Sequence, residues 1–174
     1  MSAEKWLLGG AAGMTVVFIL VIMLSPDALT TTENERILGI CLAGHNELVQ
    51  HGHAEIHVYI DGREVDVPAE IGINGKGCSS GMRAVHTHDD TGLLHIETPF
   101  EASPTLGNFF SIWEQPFDST HLMDEVVDDG HEIVMRLYAS QAAYDAGDFV
   151  ISEEYGVHEL VEGEVVVLEY KAKS

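Results

Sequence analysis

The sequence has very little positive charge. It contains 8 Lys and Arg residues against 29 Asp and Glu residues, which gives a formal net charge of -21 at pH 7. Proteins bind DNA and RNA through clusters of Lys and Arg that neutralise phosphates, so this composition excludes nucleic acid as a partner. Apolar residues make up 45% of the chain and charged residues 21%, which also excludes a disordered protein. A length of 174 residues fits one modest domain.

A stretch near the N-terminus lacks charge altogether. No charged residue occurs from Trp6 to Pro26, and a helix of these 21 residues rises about 31 Å, roughly the thickness of a hydrocarbon core. We therefore expect residues 1–26 to form a single-pass transmembrane anchor. Lys5 precedes the segment and the next basic residue is Arg36, which predicts a cytoplasmic N-terminus and an extracytoplasmic remainder.

The residues that follow this apolar segment bear on whether it is a cleaved signal peptide or an uncleaved anchor. Residues 24–28, LSPDA, match the small-x-small site of a cleaved secretory signal poorly, which favours an uncleaved anchor in the cell membrane. Gly9 and Gly13 form a small-xxx-small pair that can bring two membrane helices together, so the anchor could support a homodimer. Residues 27–37 are polar and predict a tether. Residues 38–174 are then the extracytoplasmic, β-rich domain.

Alternating apolar and polar residues predict a first β-hairpin. Residues 54–60 alternate with a period of two, and Asp61-Gly62 supplies the two positive-φ positions of a type I′ turn. The chain then returns over residues 63–67. This two-residue loop predicts three facing pairs, which are Val58–Val65, Ile56–Val67 and His57–Asp66.

A second hairpin is predicted over residues 83–88 and 93–98, joined by a turn that contains Asp89 and Gly92. Its register places His86 opposite His95. The same register places Ala84 opposite Glu97 and leaves the Gly-rich residues 71–81 as an irregular loop.

The remaining elements complete the predicted fold. A helix is expected to start near Pro104 or Thr105, with apolar residues three and four positions apart on one side: Leu106, Phe109, Phe110 and Trp113. Two more strands are expected at residues 132–139 and 164–170. The sequence therefore predicts an α+β fold, mainly an antiparallel β sheet or small sandwich with one short covering helix, behind a single transmembrane helix.

Histidines are crowded into two short phrases. Six of the ten lie within residues 51–57, HGHAEIH, and residues 86–95, HTHDDTGLLH. In an extended chain, side chains two positions apart project to the same side, so each phrase presents imidazoles on one face. Packing alone explains such crowding poorly, although a polar sheet face on which histidines are tolerated is the alternative.

The second hairpin would bring three imidazoles together. Its register adds His95 to His86 and His88 at Cβ separations of about 5 to 7 Å, a span that one transition-metal ion can bridge. Neutral imidazole suits copper and zinc. We therefore expect His86, His88 and His95 to hold a divalent Cu or Zn ion, with His51 and His53 as the next candidates. Strand order decides whether the two phrases share one site, and the sequence leaves it open.

Further side chains near the phrases could complete the ligand set or orient an imidazole. These candidates are Glu55, His57, Asp66, Asp89 and Glu97. For Asp66 an ordinary surface position is favoured over a role in the site. For Glu97 a surface position and a role in the site are equally supported.

The chain has only two cysteines, Cys41 and Cys78. Outside the membrane, two such residues are expected to oxidise to one disulfide that joins the loops ahead of the two histidine phrases. The alternative is ligation of Cu(I) by Cys78 together with the nearby Met82.

Several phrases of the chain, in order, resemble an uncharacterised family of exported or membrane-anchored bacterial and archaeal proteins. The shared motifs are HxHA at residues 51–54, HTHDxTGxxHIE at residues 86–97 and TLGxFFxxW at residues 105–113. Members of that family generally carry a third histidine at the position of Glu55, and His57 is additional here. The resemblance implies an exported or anchored protein and no established activity.

Three functions remain open from the sequence. The leading expectation is an anchored extracytoplasmic protein that captures or hands on a copper or zinc ion. The second is a metalloenzyme in which three histidines leave a position for water or oxygen, with Glu97 or Asp89 as the acid-base residue. The third is a structural or interaction module at the cell surface.

Overall fold

The computed structural model describes residues 31–173 of the chain. The predicted transmembrane anchor at residues 1–26, with its Gly9 and Gly13 pair, lies outside the described residues. Within residues 31–173, no helix is both long enough and apolar enough to cross a membrane.

From Glu33 onward, the described chain forms one compact unit of short helices and strands. The strands are β1 Gln50–Ile60, β2 Arg63–Val65, β3 Val85–His86, β4 Leu93–Thr98, β5 His121–Leu122, β6 Glu125–Val126, β7 His131–Tyr138, β8 Val150–Ser152 and β9 Val165–Ala172. The α-helices are α1 Glu33–Leu38, α2 Leu106–Trp113 and α3 Gln141–Ala146, and a 3-10 helix covers Tyr155–Val157.

The main sheet has the strand order β3-β4-β1-β9-β7-β8, and β2 pairs with the end of β1. Strands β1 and β9 are parallel, and the other pairs in this sheet are antiparallel. Strands β5 and β6 form a separate two-stranded sheet. The predicted α+β class with a mainly antiparallel sheet is confirmed. In the part of the chain that the structure describes, one main sheet takes the place of the alternative sandwich.

The first predicted hairpin forms, but its second strand is shorter than expected. Val58 pairs with Val65, and both turn residues have positive φ, 50° at Asp61 and 75° at Gly62. Strand β2 ends at Val65, so the expected Ile56–Val67 and His57–Asp66 pairs are not part of the ladder. The reason is that the backbone N–H of Ile56 donates to the carbonyl of Gly92 at 3.0 Å, so β4 occupies that edge of β1.

The second hairpin has the predicted register. His86 pairs with His95 and Val85 pairs with Ile96, while the backbone N–H of Glu97 donates to the carbonyl of Ala84 at 2.8 Å. Strand β3 is only two residues long, so the predicted strand at residues 83–88 is reduced to its centre.

Helix α2 covers one face of the sheet, as predicted. Thr105 caps it in a capping box with Asn108, which satisfies backbone N–H groups of the first turn. The side chains of Leu106, Phe109 and Phe110 are buried in the main core. That core also contains three even-numbered residues of β1, Ala54, Ile56 and Val58. The odd-numbered residues of β1 therefore lie on the opposite face.

Helix α3 is an addition to the single predicted helix. Its six residues are too few for an apolar period, but Ser140 accepts a hydrogen bond from the backbone N–H of Ala143 at the N-terminus, and Gly147 ends the helix with φ of 70°. Next to α3, Tyr138, Val165 and Val167 form a small apolar cluster.

Helix α1 lies partly in the segment that the sequence assigns to the tether, residues 27–37. Within α1, Ile37 is 1% exposed and packs with Ile40, Leu42 and Ala84. The folded unit therefore includes residues 33–37.

Candidate metal centre

Three histidines lie in one row across three neighbouring strands. His53 of β1 is opposite His95 of β4, and His95 is opposite His86 of β3. In a second row, His51 of β1 is opposite Glu97 of β4. Because residues two apart in a strand share a face, these side chains project from the same face of the sheet. Strand order thus brings the two histidine phrases together.

The imidazole rings of both phrases contact one another. Ring centroids are separated by 5.0 Å for His51–His53, 4.8 Å for His53–His95, 4.6 Å for His88–His95 and 4.9 Å for His86–His88. The ring of His86 also stacks on that of His95 at 5.4 Å, with 16° between the planes. We refer to His51, His53, His86, His88 and His95 as the histidine cluster.

Ring nitrogens of the cluster form two groups of three. One group is His51, His53 and His95, the other is His86, His88 and His95, and within each the potential ligand atoms lie within 4.8 Å of one another. Two nitrogens bound to one tetrahedral Zn ion, at bond lengths of about 2.0–2.1 Å, lie about 3.4 Å apart. Small side-chain rotations would bring either group to that distance. His95 belongs to both groups.

His86 has a fixed tautomer and a buried, free ring nitrogen. Its Nδ1 lies 3.0 Å from the carbonyl oxygen of Arg83, and because a carbonyl only accepts, Nδ1 carries the proton and donates. Nε2 therefore presents its lone pair, and it is buried without a hydrogen-bond partner among the described residues. Burial disfavours the charged imidazolium and lowers the pKa of His86 to about 4. The neutral, metal-binding form thus prevails at neutral pH.

His95 is in a similar environment at the centre of the cluster. Its Nδ1 is buried and has no hydrogen-bond partner within residues 31–173. Burial is the largest cause that lowers the pKa of His95, and the neighbouring rings of His88 and His53 lower it further. Its imidazole is therefore also neutral and available at neutral pH.

Glu97 places a fully buried carboxylate beside the cluster. Its Oε1 lies 2.8 Å from Nδ1 of His45 and 3.5 Å from Nε2 of His51, with the Glu97 side chain 0% exposed. Its Oε2 has no hydrogen-bond partner in the described part of the chain. Burying a carboxylate is costly unless a cation or several donors compensate its charge. Glu97 is thus suited to orient His51 or to complete a ligand set.

Two neighbours of the cluster are absent from the sequence prediction, His45 and Glu162. The ring of His45 lies 6.0 Å from that of His88. Glu162 accepts a 2.7 Å hydrogen bond from the backbone N–H of His53, and its Oε1 lies 3.9 Å from Nδ1 of that residue. Both lie in irregular segments, where no periodic pattern could indicate them.

The disulfide between Cys41 and Cys78 forms as predicted. It joins the loop that carries His45 to the segment that leads into β3. Leu42 and Met82 exchange two backbone hydrogen bonds of 2.8 and 2.9 Å beside it, which fixes the same junction. Since the sulfur of Cys78 is bonded to Cys41, the alternative of Cu(I) ligation by Cys78 and Met82 is not supported.

Besides Glu97, four of the predicted candidates lie outside the two nitrogen groups: Glu55, His57, Asp66 and Asp89. His57 interacts instead with Glu64, at 2.9 Å from Nδ1, and with Glu55, at 3.0 Å from Nε2. Asp66 is exposed because β2 ends before it. Asp89 is exposed in the turn, and hydrogen bonds from Thr91 lower the pKa of its carboxyl.

Searches against family models, curated proteins and solved structures each found no match to this chain. The resemblance to the exported family stays a prediction. Function is therefore inferred from the geometry of the site.

Proposed function

We propose that this is a membrane-anchored extracytoplasmic protein whose domain binds a divalent transition-metal ion, copper or zinc, through the histidine cluster. The observation that carries the proposal is the set of unpartnered, buried polar atoms on neighbouring side chains, which are Nε2 of His86, Nδ1 of His95 and Oε2 of Glu97. Capture or handing-on of the ion is the use we infer.

A cation explains these atoms better than an ordinary polar surface does. Leaving one buried polar atom without a partner costs about 1–3 kcal/mol. Nε2 of His86 and Oε2 of Glu97 are both acceptors, so they cannot satisfy each other without an added proton. A bound cation would accept lone pairs from several such atoms at once and would compensate the charge of Glu97.

The donor set favours copper or zinc over harder ions. Imidazole nitrogens are common ligands of Zn and Cu, whereas Ca²⁺ and Mg²⁺ require mainly oxygen ligands. The cluster offers five imidazoles, and within residues 31–173 the carboxylates in contact with its ring nitrogens are Glu97, at 3.5 Å, and Glu162, at 3.9 Å.

Glu97 also supports a second candidate, a metalloenzyme. Its unpartnered Oε2 could move a proton to or from a water bound beside three imidazoles. X-ray absorption of the metal-loaded protein distinguishes the two functions. Four protein ligands support a binding role, and an open position occupied by water supports the enzyme.

Elemental analysis tests metal binding directly. The full chain is purified in detergent without a histidine tag, incubated with Cu(II) or Zn(II) at pH 7, and separated from free ion. We expect at least one bound ion per chain, and the loss of at least one ion when His86 and His88 are both changed to Ala.

The matched control is the pair His121→Ala and His131→Ala. These histidines lie outside the cluster and contact Asp118 and Asp128. We expect this variant to keep the full metal content. His88→Ala alone is included because His88 is exposed, so this variant removes a ligand without unfolding the protein. Equal metal content in wild type, His88→Ala and the double cluster variant would overturn the proposal.

A further inference from the structure

We propose that the histidine cluster holds two metal ions, one in each group of three imidazoles, and that His95 is a ligand of both. This inference rests on the proposed metal binding and adds its stoichiometry and its connecting residue. It follows from how the nitrogens are grouped, from the strand order and from the chemistry of imidazole.

The nitrogens form two groups of three that share only His95. The sheet explains this arrangement. Strand β4 lies between β3 and β1, so His95 separates His86 from His53 along one row. Neighbouring strands are about 4.8 Å apart, which places the backbones of β3 and β1 about 10 Å from each other. Neither nitrogen group contains both His53 of β1 and His86 of β3, so each group combines His95 with histidines from one side of β4.

His95 has the contacts that a shared ligand requires. Its ring centroid lies 4.8 Å from that of His53 on one side and 4.6 Å from that of His88 on the other. An imidazole carries two ring nitrogens, and each can bind a different ion once the ring proton has left to solvent. Nδ1 of His95 is buried and has no partner among the described residues, so metal binding would not have to break a hydrogen bond there.

The two positions differ in charge and exposure. The group with His51 and His53 has carboxylates beside it, since Glu97 lies 3.5 Å from His51 and Glu162 lies 3.9 Å from His53. The group with His86 and His88 combines a fully buried imidazole with an exposed one. The carboxylates offset part of the charge that two divalent ions bring.

Copper titration with electron paramagnetic resonance tests the proposal. The metal-free full chain in detergent receives Cu(II), and bound copper is counted by elemental analysis after removal of free ion. We expect two Cu(II) per wild-type chain. Magnetic coupling through the shared ring should reduce the integrated signal at low temperature to well under half of the bound copper.

Variants assign each ion to its group. His51→Ala combined with His53→Ala should leave one Cu(II), and His88→Ala should also leave one, in both cases with a full, uncoupled signal. His121→Ala with His131→Ala, outside the cluster, should keep two coupled ions. His51 and His88 are exposed, so their replacement removes ligands without opening the core.

Each alternative result has a distinct meaning. One Cu(II) in wild type would overturn the two-ion inference and leave metal binding intact. Two Cu(II) with a full, uncoupled signal would overturn the shared role of His95. No specific copper or zinc binding in wild type would overturn both this inference and the proposed function.

Discussion

The imidazole of His86 stacks on that of His95 across β3 and β4, with ring centroids 5.4 Å apart and ring planes 16° apart. Two positively charged rings in this arrangement would repel each other in a poorly solvated site. Burial and the neighbouring imidazole rings lower the pKa of both residues, so the pair is neutral where metal binding requires it to be.

We expect the pKa of His86 in the metal-free protein to be about 4, against an ordinary value of 6.5. NMR of the chain with labelled histidine measures it directly. Because the folded pKa is below the unfolded one, the unfolded chain takes up this proton first as the pH falls. His86 therefore contributes stability above pH 6.5 that is lost as the pH falls from 6.5 through about 4.

His158 provides the contrast in the same titration. Burial lowers its pKa, but hydrogen bonds and charges from Glu164 and Glu154 outweigh burial and raise it above 6.5. His158 therefore increases the free energy of unfolding below pH 6.5, and this contribution is lost as the pH rises through its raised pKa. Titration midpoints near pH 6.5 for both His86 and His158 would contradict the burial of His86 and the carboxylate contacts of His158.

Removing the disulfide should destabilise the domain. Cys41 and Cys78 are 37 residues apart, and closing such a loop in the unfolded chain corresponds to about 4 kcal/mol in the chain-entropy model. We expect Cys41→Ser with Cys78→Ser to lower the free energy of unfolding by about this amount in urea denaturation. Ser79→Ala with Ser80→Ala, at exposed positions of the same loop, is the matched control and should change little.

The same disulfide variant should also affect the cluster. The bond holds the loop that carries His45, whose ring lies beside His88 and whose Nδ1 contacts Glu97. We expect weaker copper binding in this variant than in the Ser79 and Ser80 control. Unchanged stability and copper affinity would show that the backbone contacts of Leu42 and Met82 position the loop by themselves.

Gly92 immediately precedes β4, at the point where the pairing partner of β1 changes from β2 to β4. It has φ of 84°, and a Cβ at this position would lie 2.3 Å from the carbonyl oxygen of Ile56. We expect Gly92→Ala to lower the free energy of unfolding by at least about 2 kcal/mol, since the left-handed conformation alone costs about 1–2 kcal/mol. Thermal or urea unfolding measures the change.

Gly130→Ala is the control for this substitution. The nearest atom to a Cβ at Gly130 is Oδ1 of Asp128 at 3.5 Å, which is an ordinary contact. Its free energy of unfolding should stay close to that of wild type. Equal stability of Gly92→Ala and Gly130→Ala would contradict the close approach of β4 to β1.

Local patterns were sufficient for the parts of the fold that lie close together in sequence. The Asp61-Gly62 turn defines the first hairpin, and the spacing of the second hairpin predicts that His86 faces His95. The apolar spacing of α2 likewise predicts its buried side. In each case the interacting residues are near enough for turn geometry or helical period to determine the contact.

Contacts between distant segments could not be predicted in this way. The pairing of His53 with His95 requires β1 to lie beside β4, and this follows from the packing of the whole sheet. His45 and Glu162 reach the cluster from irregular segments. The early end of β2 also depends on a distant segment, because the carbonyl of Gly92 pairs with the backbone N–H of Ile56 on β1.

The parallel pairing of β1 with β9 has a consequence for biosynthesis. Strand β9 lies between β1 and β7, so it joins the part of the sheet that holds the histidine cluster to the part that holds β7 and β8. Until the ribosome has translated residues 165–172, β1 and β7 each have an unpaired edge that can pair with other chains. A nascent or truncated polypeptide without this strand would therefore be vulnerable to aggregation and proteolysis.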